Sequence, residues 1–200
     1  MTTSKRWKVA SSPGLDISPA WSPTGSGLAF ASSREGHTNL YSVDSDGKGP
    51  RRLTFGYGEN VSPTWSPTGT EMAFTSDRGG SPQIYLMHAD GTDIRRLTFE
   101  GDYNSDPRWS PRGDRLAFSC RRGGTFRICT LSPDGKNLRQ ITGGPGSDES
   151  PSWAPDGRHL VFASNRSGRW GLYLINADGG VPVRLSRGGA NETAPAWSAQ

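Results

Sequence analysis

The chain has 200 residues, a formal charge of +4 and only 32% hydrophobic residues, with 27 glycines, 15 prolines and 7 tryptophans, a balance that suits short strands joined by tight turns more than a helical domain. Its basic residues are spread without forming a block, which argues for an evenly charged surface and against a nucleic-acid groove. No apolar run is long enough to span a bilayer, so membrane insertion is not expected.

The opening Met1-Thr2-Thr3-Ser4-Lys5-Arg6-Trp7 carries positive charge but no apolar h-region, and so does not read as a secretory signal. Trp7-Lys8-Val9 falls 44 residues before Arg51-Arg52-Leu53, and residues 5–17 therefore read as the last strand of a unit. The first full unit starts at Ser18. Pro19-Ala20-Trp21 is predicted to be a short strand ended by the turn Ser22-Pro23-Thr24-Gly25, where proline presets φ and glycine takes the left-handed position. Leu28-Ala29-Phe30-Ala31-Ser32 is the second strand, alternating large and small residues. Asn39-Leu40-Tyr41-Ser42-Val43 is the third, and the hairpin signal Asp46-Gly47 leads into the fourth, Arg51 to Phe55.

The same four strands return three times with no insertion or deletion. The second recurs at Met72-Ala73-Phe74, Leu116-Ala117-Phe118 and Leu160-Val161-Phe162, and the Asp-Gly turn at Asp90, Asp134 and Asp178. Five tryptophans, Trp21, Trp65, Trp109, Trp153 and Trp197, stand 44 residues apart. A period of this size marks stacked supersecondary units. Four short antiparallel strands per unit describe a propeller blade, whereas the coils of a solenoid are shorter and lack tight Asp-Gly hairpins. The expected fold is all-β: a β-propeller of four-stranded antiparallel blades at about 18–57, 62–101, 106–145 and 150–189, with partial strands at both termini (5–17 and 192–200), all in one domain.

Each motif tryptophan is expected to anchor the inner strand of its blade; burying ~200 Å² at ~25 cal/mol/Å² makes one worth about 5 kcal/mol before entropy. Arg34, Arg78, Arg122 and Arg166 share one phase and are expected to bond a nearby turn or stack on an aromatic ring. Cys120 and Cys129, both in one repeat, replace a serine and a tyrosine of the other units. They fall on neighbouring strands, so a local disulfide is conceivable, but two buried thiols are the expectation, because two cysteines make no disulfide framework.

His37, His88 and His159 occupy three different phases and are not expected to converge on a metal. There is no Gly-x-Ser-x-Gly elbow and no P-loop, so catalysis by this chain is not expected. One position set is suggestive: Asp16, Asn60, Asn104, Asp148 and Glu192 stand just before each inner strand in a single phase. Gathered at one mouth of a central channel, they would offer oxygen ligands to calcium or magnesium, or donor and acceptor groups to a partner; the plainer role is capping the turn into the strand.

Ser-Pro-x-Trp-Ser-Pro-x-Gly, a Leu/Met-Ala-Phe strand, Ser-x-Arg-x-Gly, Ile-Tyr, Asp-Gly and Arg-Arg-Leu-Thr together resemble the TolB-type propeller repeat over nearly the whole chain. That repeat also occurs in tricorn-like and prolyl-oligopeptidase-like peptidases, as a propeller beside a separate catalytic domain. The resemblance implies a non-enzymatic module at the bacterial envelope, in the periplasm, whose partner is a peptidoglycan-associated lipoprotein. It also implies a six-bladed ring preceded by a small α/β domain, and the sequence departs from that in having neither the domain nor enough blades. The expectation is therefore a binding scaffold for a protein or peptide that completes its ring as a homo-oligomer. A segment of a longer TolB or peptidase-associated protein, or a repeat amplified only for self-assembly, are the alternatives.

Overall fold

Each repeat closes into one sheet because its apolar segments are separated by turns that bring the next strand back antiparallel. In the computed structural model, which describes residues 12–188 and 190–197, the first blade comprises β1 (Asp16–Trp21), β2 (Gly27–Ser32), β3 (Asn39–Asp44) and β4 (Arg51–Arg52). The second has β5 (Asn60–Trp65), β6 (Glu71–Ser76), β7 (Gln83–His88) and β8 (Arg95–Arg96). The third has β9 (Tyr103–Trp109), β10 (Leu116–Arg122), β11 (Thr125–Leu131) and β12 (Arg139–Gln140), and the fourth β13 (Asp148–Trp153), β14 (His159–Ser164), β15 (Gly171–Asn176) and β16 (Val183–Arg184). Every sheet keeps its strands in sequence order. The first strands touch one another in succession, β1 on β5, β5 on β9 and β9 on β13, so the blades radiate from a shared axis. The fold is a β-propeller of four-stranded antiparallel blades, without helix among the described residues. The outer strand expected around Trp7 lies outside the described residues; of the C-terminal stub, 192–197 are described and form no strand.

The alternation of large and small residues on the second strand sets the distance between blades. Ala29, Ala31, Leu40 and Leu53 of the first blade form one cluster with Met72, Phe74, Tyr85 and Met87 of the second. Small residues face forward and leave room; bulky ones face back and fill it. The same exchange joins the second blade to the third and the third to the fourth, around Phe118 and Phe162. Gly91 shows how close the approach is: it has φ +88°, and a Cβ there would stand 2.6 Å from the Leu53 carbonyl oxygen of the preceding blade. Glycine, having no Cβ, is the residue type that meets both conditions.

The tryptophans lean the same way. The Trp65 indole N–H donates to the Ala20 carbonyl at 3.0 Å, and that of Trp153 to the Arg108 carbonyl at 2.9 Å, each crossing to the preceding blade. Trp109 and Trp153 are buried and Trp65 half-buried, as anchors should be, but Trp21 is 57% and Trp197 42% exposed. The five are therefore not equivalent. A tryptophan is buried by its neighbouring blades, and those at either end of the arc lack one of them among the described residues. Leu185 shows the same effect on the forward face: its counterparts Leu53, Leu97 and Ile141 are buried, while it is 48% exposed.

The arginine clamp is present in three blades. Arg34, Arg78 and Arg166 each donate from Nε to the serine two residues earlier, at 2.9, 3.1 and 3.0 Å. Each also lies over a phenylalanine and a tyrosine, at 4.5–5.6 Å. In the third blade Cys120 and Cys129 take the places of that serine and tyrosine, and they form a disulfide, where two thiols were expected. Here Arg122 bonds Glu100 instead, and Arg121 stacks on Tyr103 and Phe126. A covalent link replaces a polar and aromatic one that this blade cannot make.

Trp153→Ala is expected to cost about 3–5 kcal/mol, through a buried cavity and a lost hydrogen bond, whereas Trp21→Ala, largely exposed, should cost under about 1 kcal/mol. Urea denaturation of the two variants checks this; equal costs would contradict the assignment of blade-to-blade burial.

Candidate functional site

The residues singled out before each inner strand turn out to join blades. Asn60 is fully buried: its amide donates to Asn39 Oδ1 of the first blade at 3.2 Å, and its Oδ1 accepts Arg78 Nη2 at 2.7 Å. Asn104 donates to Gln83 Oε1 at 2.8 Å, and Gln83 in turn accepts the Thr98 hydroxyl at 2.7 Å. Asp148, also fully buried, accepts Arg166 Nη2 at 2.7 Å and faces Arg127 Nη1 at 3.6 Å from the third blade. Asp16 pairs with Arg34 at 3.2 Å and takes a hydrogen bond from Ser12; burial alone would raise its pKa, but bonds from Ser32, Arg34 and Ser12 outweigh it and hold the carboxyl below its usual value. Glu192 is half-buried, and its backbone N–H reaches the Trp170 carbonyl at 3.2 Å.

Asn60, Asn104 and Asp148 thus each reach across to the preceding blade. Burial between blades demands partners for such groups, and Asn60, Asn104 and Asp148 Oδ1 have hydrogen bonds, while Asp148 Oδ2 has only the Arg127 charge at 3.6 Å. No group of three His, Cys, Asp or Glu side chains placed to hold a metal ion occurs among the described residues. His37, His88 and His159 face separate carboxylates, Glu59, Asp93 and Asp156.

A second recurring feature of the inner strands was not read from the sequence. The chain enters the left-handed region at Ser18, Ser62, Asp106 and Ser150 of the four inner strands, and at Ala194 in the same phase beyond them, with φ between 52° and 55°. In the four blades the residue sits in a register break between first and second strands, a β-bulge that re-aims its side chain. The Ser62 hydroxyl then reaches Asp106 Oδ1 of the next inner strand at 2.9 Å. The Asp106 and Ser150 N–H groups donate to Thr75 and Ser119 of the preceding blades. Glu149, half-buried in β13, lies within the field of Asp106; burial first, and then the charges of Asp106 and Asp148, push its carboxyl above the usual range. The recurring small or polar residue before a proline was the available signal.

At the opposite end of the inner strands, the Trp-Ser-Pro turns converge on a cleft of ≈ 470 Å³. Its wall includes Trp65, Trp109, Trp153 and Trp197 with Pro67 and Pro111, and Arg108 is the one charged residue lining it among the described residues.

A family model described as TolB beta propeller domain matches residues 1–200. A curated relative, the Tol-Pal system protein TolB of Syntrophus aciditrophicus (strain SB), is 44% identical over 46 residues, which are 23% of this chain and 10% of the relative. The crystal structure of TolB from Acinetobacter baumannii superposes with a TM-score of 0.84 at 29% identity, over 94% of this chain and 47% of that one. The chain thus spans about half of that structure's length. A putative TolB from Agrobacterium tumefaciens gives a TM-score of 0.75 at 24% identity, over 88% of this chain and 82% of that one. A puromycin-hydrolyzing peptidase of Mycobacterium tuberculosis shares the fold, with a TM-score of 0.66 at 22% identity over 88% of this chain and 29% of that one.

The wall carboxylates generate a pH test. Because the folded-state pKa of Glu149 is raised, its protonated form favours the fold, and that contribution is present below the ordinary glutamate value and lost as pH rises through the raised one. Glu149→Gln should therefore raise the melting temperature near neutrality and change it little at low pH. An unchanged or lowered melting temperature at pH 7 would show that the Glu149 carboxylate is not penalised there.

Proposed function

The chain belongs to the TolB beta propeller domain family, and from that premise we propose that it is a non-enzymatic scaffold that binds a protein or peptide partner at its channel. The observation that carries this reading is the bulge set. Consecutive inner strands spend a left-handed backbone position on turning Ser62 and Asp106 toward each other, beside a Glu149 carboxyl kept out of bulk water. Non-glycine residues in that region cost roughly 1–2 kcal/mol each, and an acidic, hydroxyl-lined wall suits cationic and donor groups of an inserted segment. We place this work in the periplasm, supported by the Tol-Pal system protein among its relatives.

The two ends of the arc extend the proposal. The forward face of the fourth blade exposes Val183 and Leu185, and the rear of the first exposes Ile17 and Trp21. The phases of Leu185 and Trp21 are those that meet at every internal blade contact, as Leu53 with Trp65, Leu97 with Trp109 and Ile141 with Trp153, and open apolar blade faces call for cover. A second copy of the chain supplies matching faces, and the proposed assembly is a larger ring made of more than one copy.

Two experiments test this. A pull-down from envelope extract should enrich a partner with the wild-type chain and lose it with Asp106→Asn/Glu149→Gln; a partner retained by the double variant removes the channel wall from the reading. Light scattering should give a mass at least double the 21.5 kDa of one chain; a single-chain mass with a cooperative melt removes the assembly.

A further inference from the structure

The cleft at the Trp-Ser-Pro end of the axis has a composition that the repeat does not explain. Its tryptophans and prolines come from the motif, but Arg108 does not: the same phase holds Ala20, Thr64, Ser152 and Ala196 in the other units. Arg108 is half-buried, and the only hydrogen bond of its side chain within the described residues runs from Nη1 to the adjacent Pro107 carbonyl at 3.0 Å. No carboxylate pairs with it there, although a guanidinium carries five donors. Burial pushes its pKa down, against the opposing charge of Asp106. Beside it, the Trp109 indole N–H is buried without an acceptor, whereas those of Trp65 and Trp153 are bonded across the blades. An unpaired buried donor is costly, and a cation among aromatic rings lacks only its counter-ion.

We propose that this cleft binds a carboxylate flanked by prolyl or aliphatic side chains, presented by an extended peptide at its C-terminus or on an acidic residue. Arg108 takes the carboxylate in its planar fork, and the tryptophan and proline faces take the apolar flank, as aromatic-lined grooves take proline-rich segments. A volume of ≈ 470 Å³ has room for the tip of a peptide rather than a domain. This site lies toward the Trp-Ser-Pro end of the inner strands, with Arg108 two residues along β9 from Asp106; it prefers the opposite charge and rests on the reading of the chain as a peptide-binding scaffold.

Three probes separate the sources: N-acetyl-Pro-Pro-Leu as the free acid, the same peptide as its C-terminal amide, and N-acetyl-Pro-Leu-Glu amide. Each is titrated into the ¹⁵N-labelled chain while the tryptophan indole resonances are followed. The expected result is a saturable shift of the Trp109 and Trp153 indoles with a carboxylate-bearing probe, at least ten-fold weaker with the plain amide. Arg108→Gln should weaken binding ten-fold or more, and Arg108→Lys less, with both melting curves recorded to show that the variants fold. Equal binding of acid and amide, unchanged binding to Arg108→Gln, or no saturable shift would overturn the proposal. Failure of every peptide while the wild-type chain still captures its channel partner overturns the cleft alone and leaves the scaffold reading standing.

Discussion

The fold depends on one contact repeated between successive blades: small residues facing forward on one sheet admit the bulky residues facing back on the next. Ala29 and Ala31 are what let Phe74 and Met72 come in, and Ala73 does the same for the third blade. A single four-stranded sheet of this composition could not bury both of its faces, so the stable unit is the stack. Hydrogen bonds follow the same boundary. Asn60, Asn104 and the indoles of Trp65 and Trp153 spend their donors on the neighbouring blade, so polar groups trapped between sheets are satisfied by the packing that trapped them.

This explains which features were legible in the sequence. The period, the four strands and the antiparallel order are local properties, written in alternation and turn residues, and they appear in the structure without revision. Exposure depends on what stands beside a residue. Trp21 and Trp153 share the repeat motif and differ in burial, because Trp153 leans on a described blade behind it, the third, and Trp21 has none behind it among the described residues. The acidic and amide set before the inner strands shares a phase, and phase alone does not tell an axis-facing side chain from one wedged between sheets. For Asp148 the distinction is made by Arg166 from its own blade and Arg127 from the blade before. The bulge that turns Asp106 toward Ser62 is a backbone feature whose only trace in the sequence is a small or polar residue before a proline.

The third blade departs from the pattern at several places that are coupled. With Cys120 and Cys129 bonded, the serine and tyrosine of the arginine clamp are gone, and Arg122 turns outward to Glu100. Arg121 occupies a position where Asp77 and Asn165 of other blades accept a backbone N–H; here it stacks on Tyr103 and Phe126 and pairs with Asp102 at 2.9 Å. The disulfide thus holds the two central strands together where the polar clamp has been given up.

The same blade supplies both unusual charges of the inner strands, the Asp106 carboxylate bonded to Ser62 and the Arg108 guanidinium in the wall of the cleft, two residues apart on β9. Successive strand residues point to opposite faces, so two positions of the same parity would ordinarily share one. The bulge lies between them, however, and shifts the register, so that each side chain is aimed separately. Symmetric residues, fixed by the blade contact, have little freedom to specialise, because a change in one phase alters a packed boundary. Asymmetric charge on the inner strand disturbs no such boundary, and the inner strand of the third blade is accordingly one place where this propeller differs from its own repeat, beside the cysteine pair of β10 and β11.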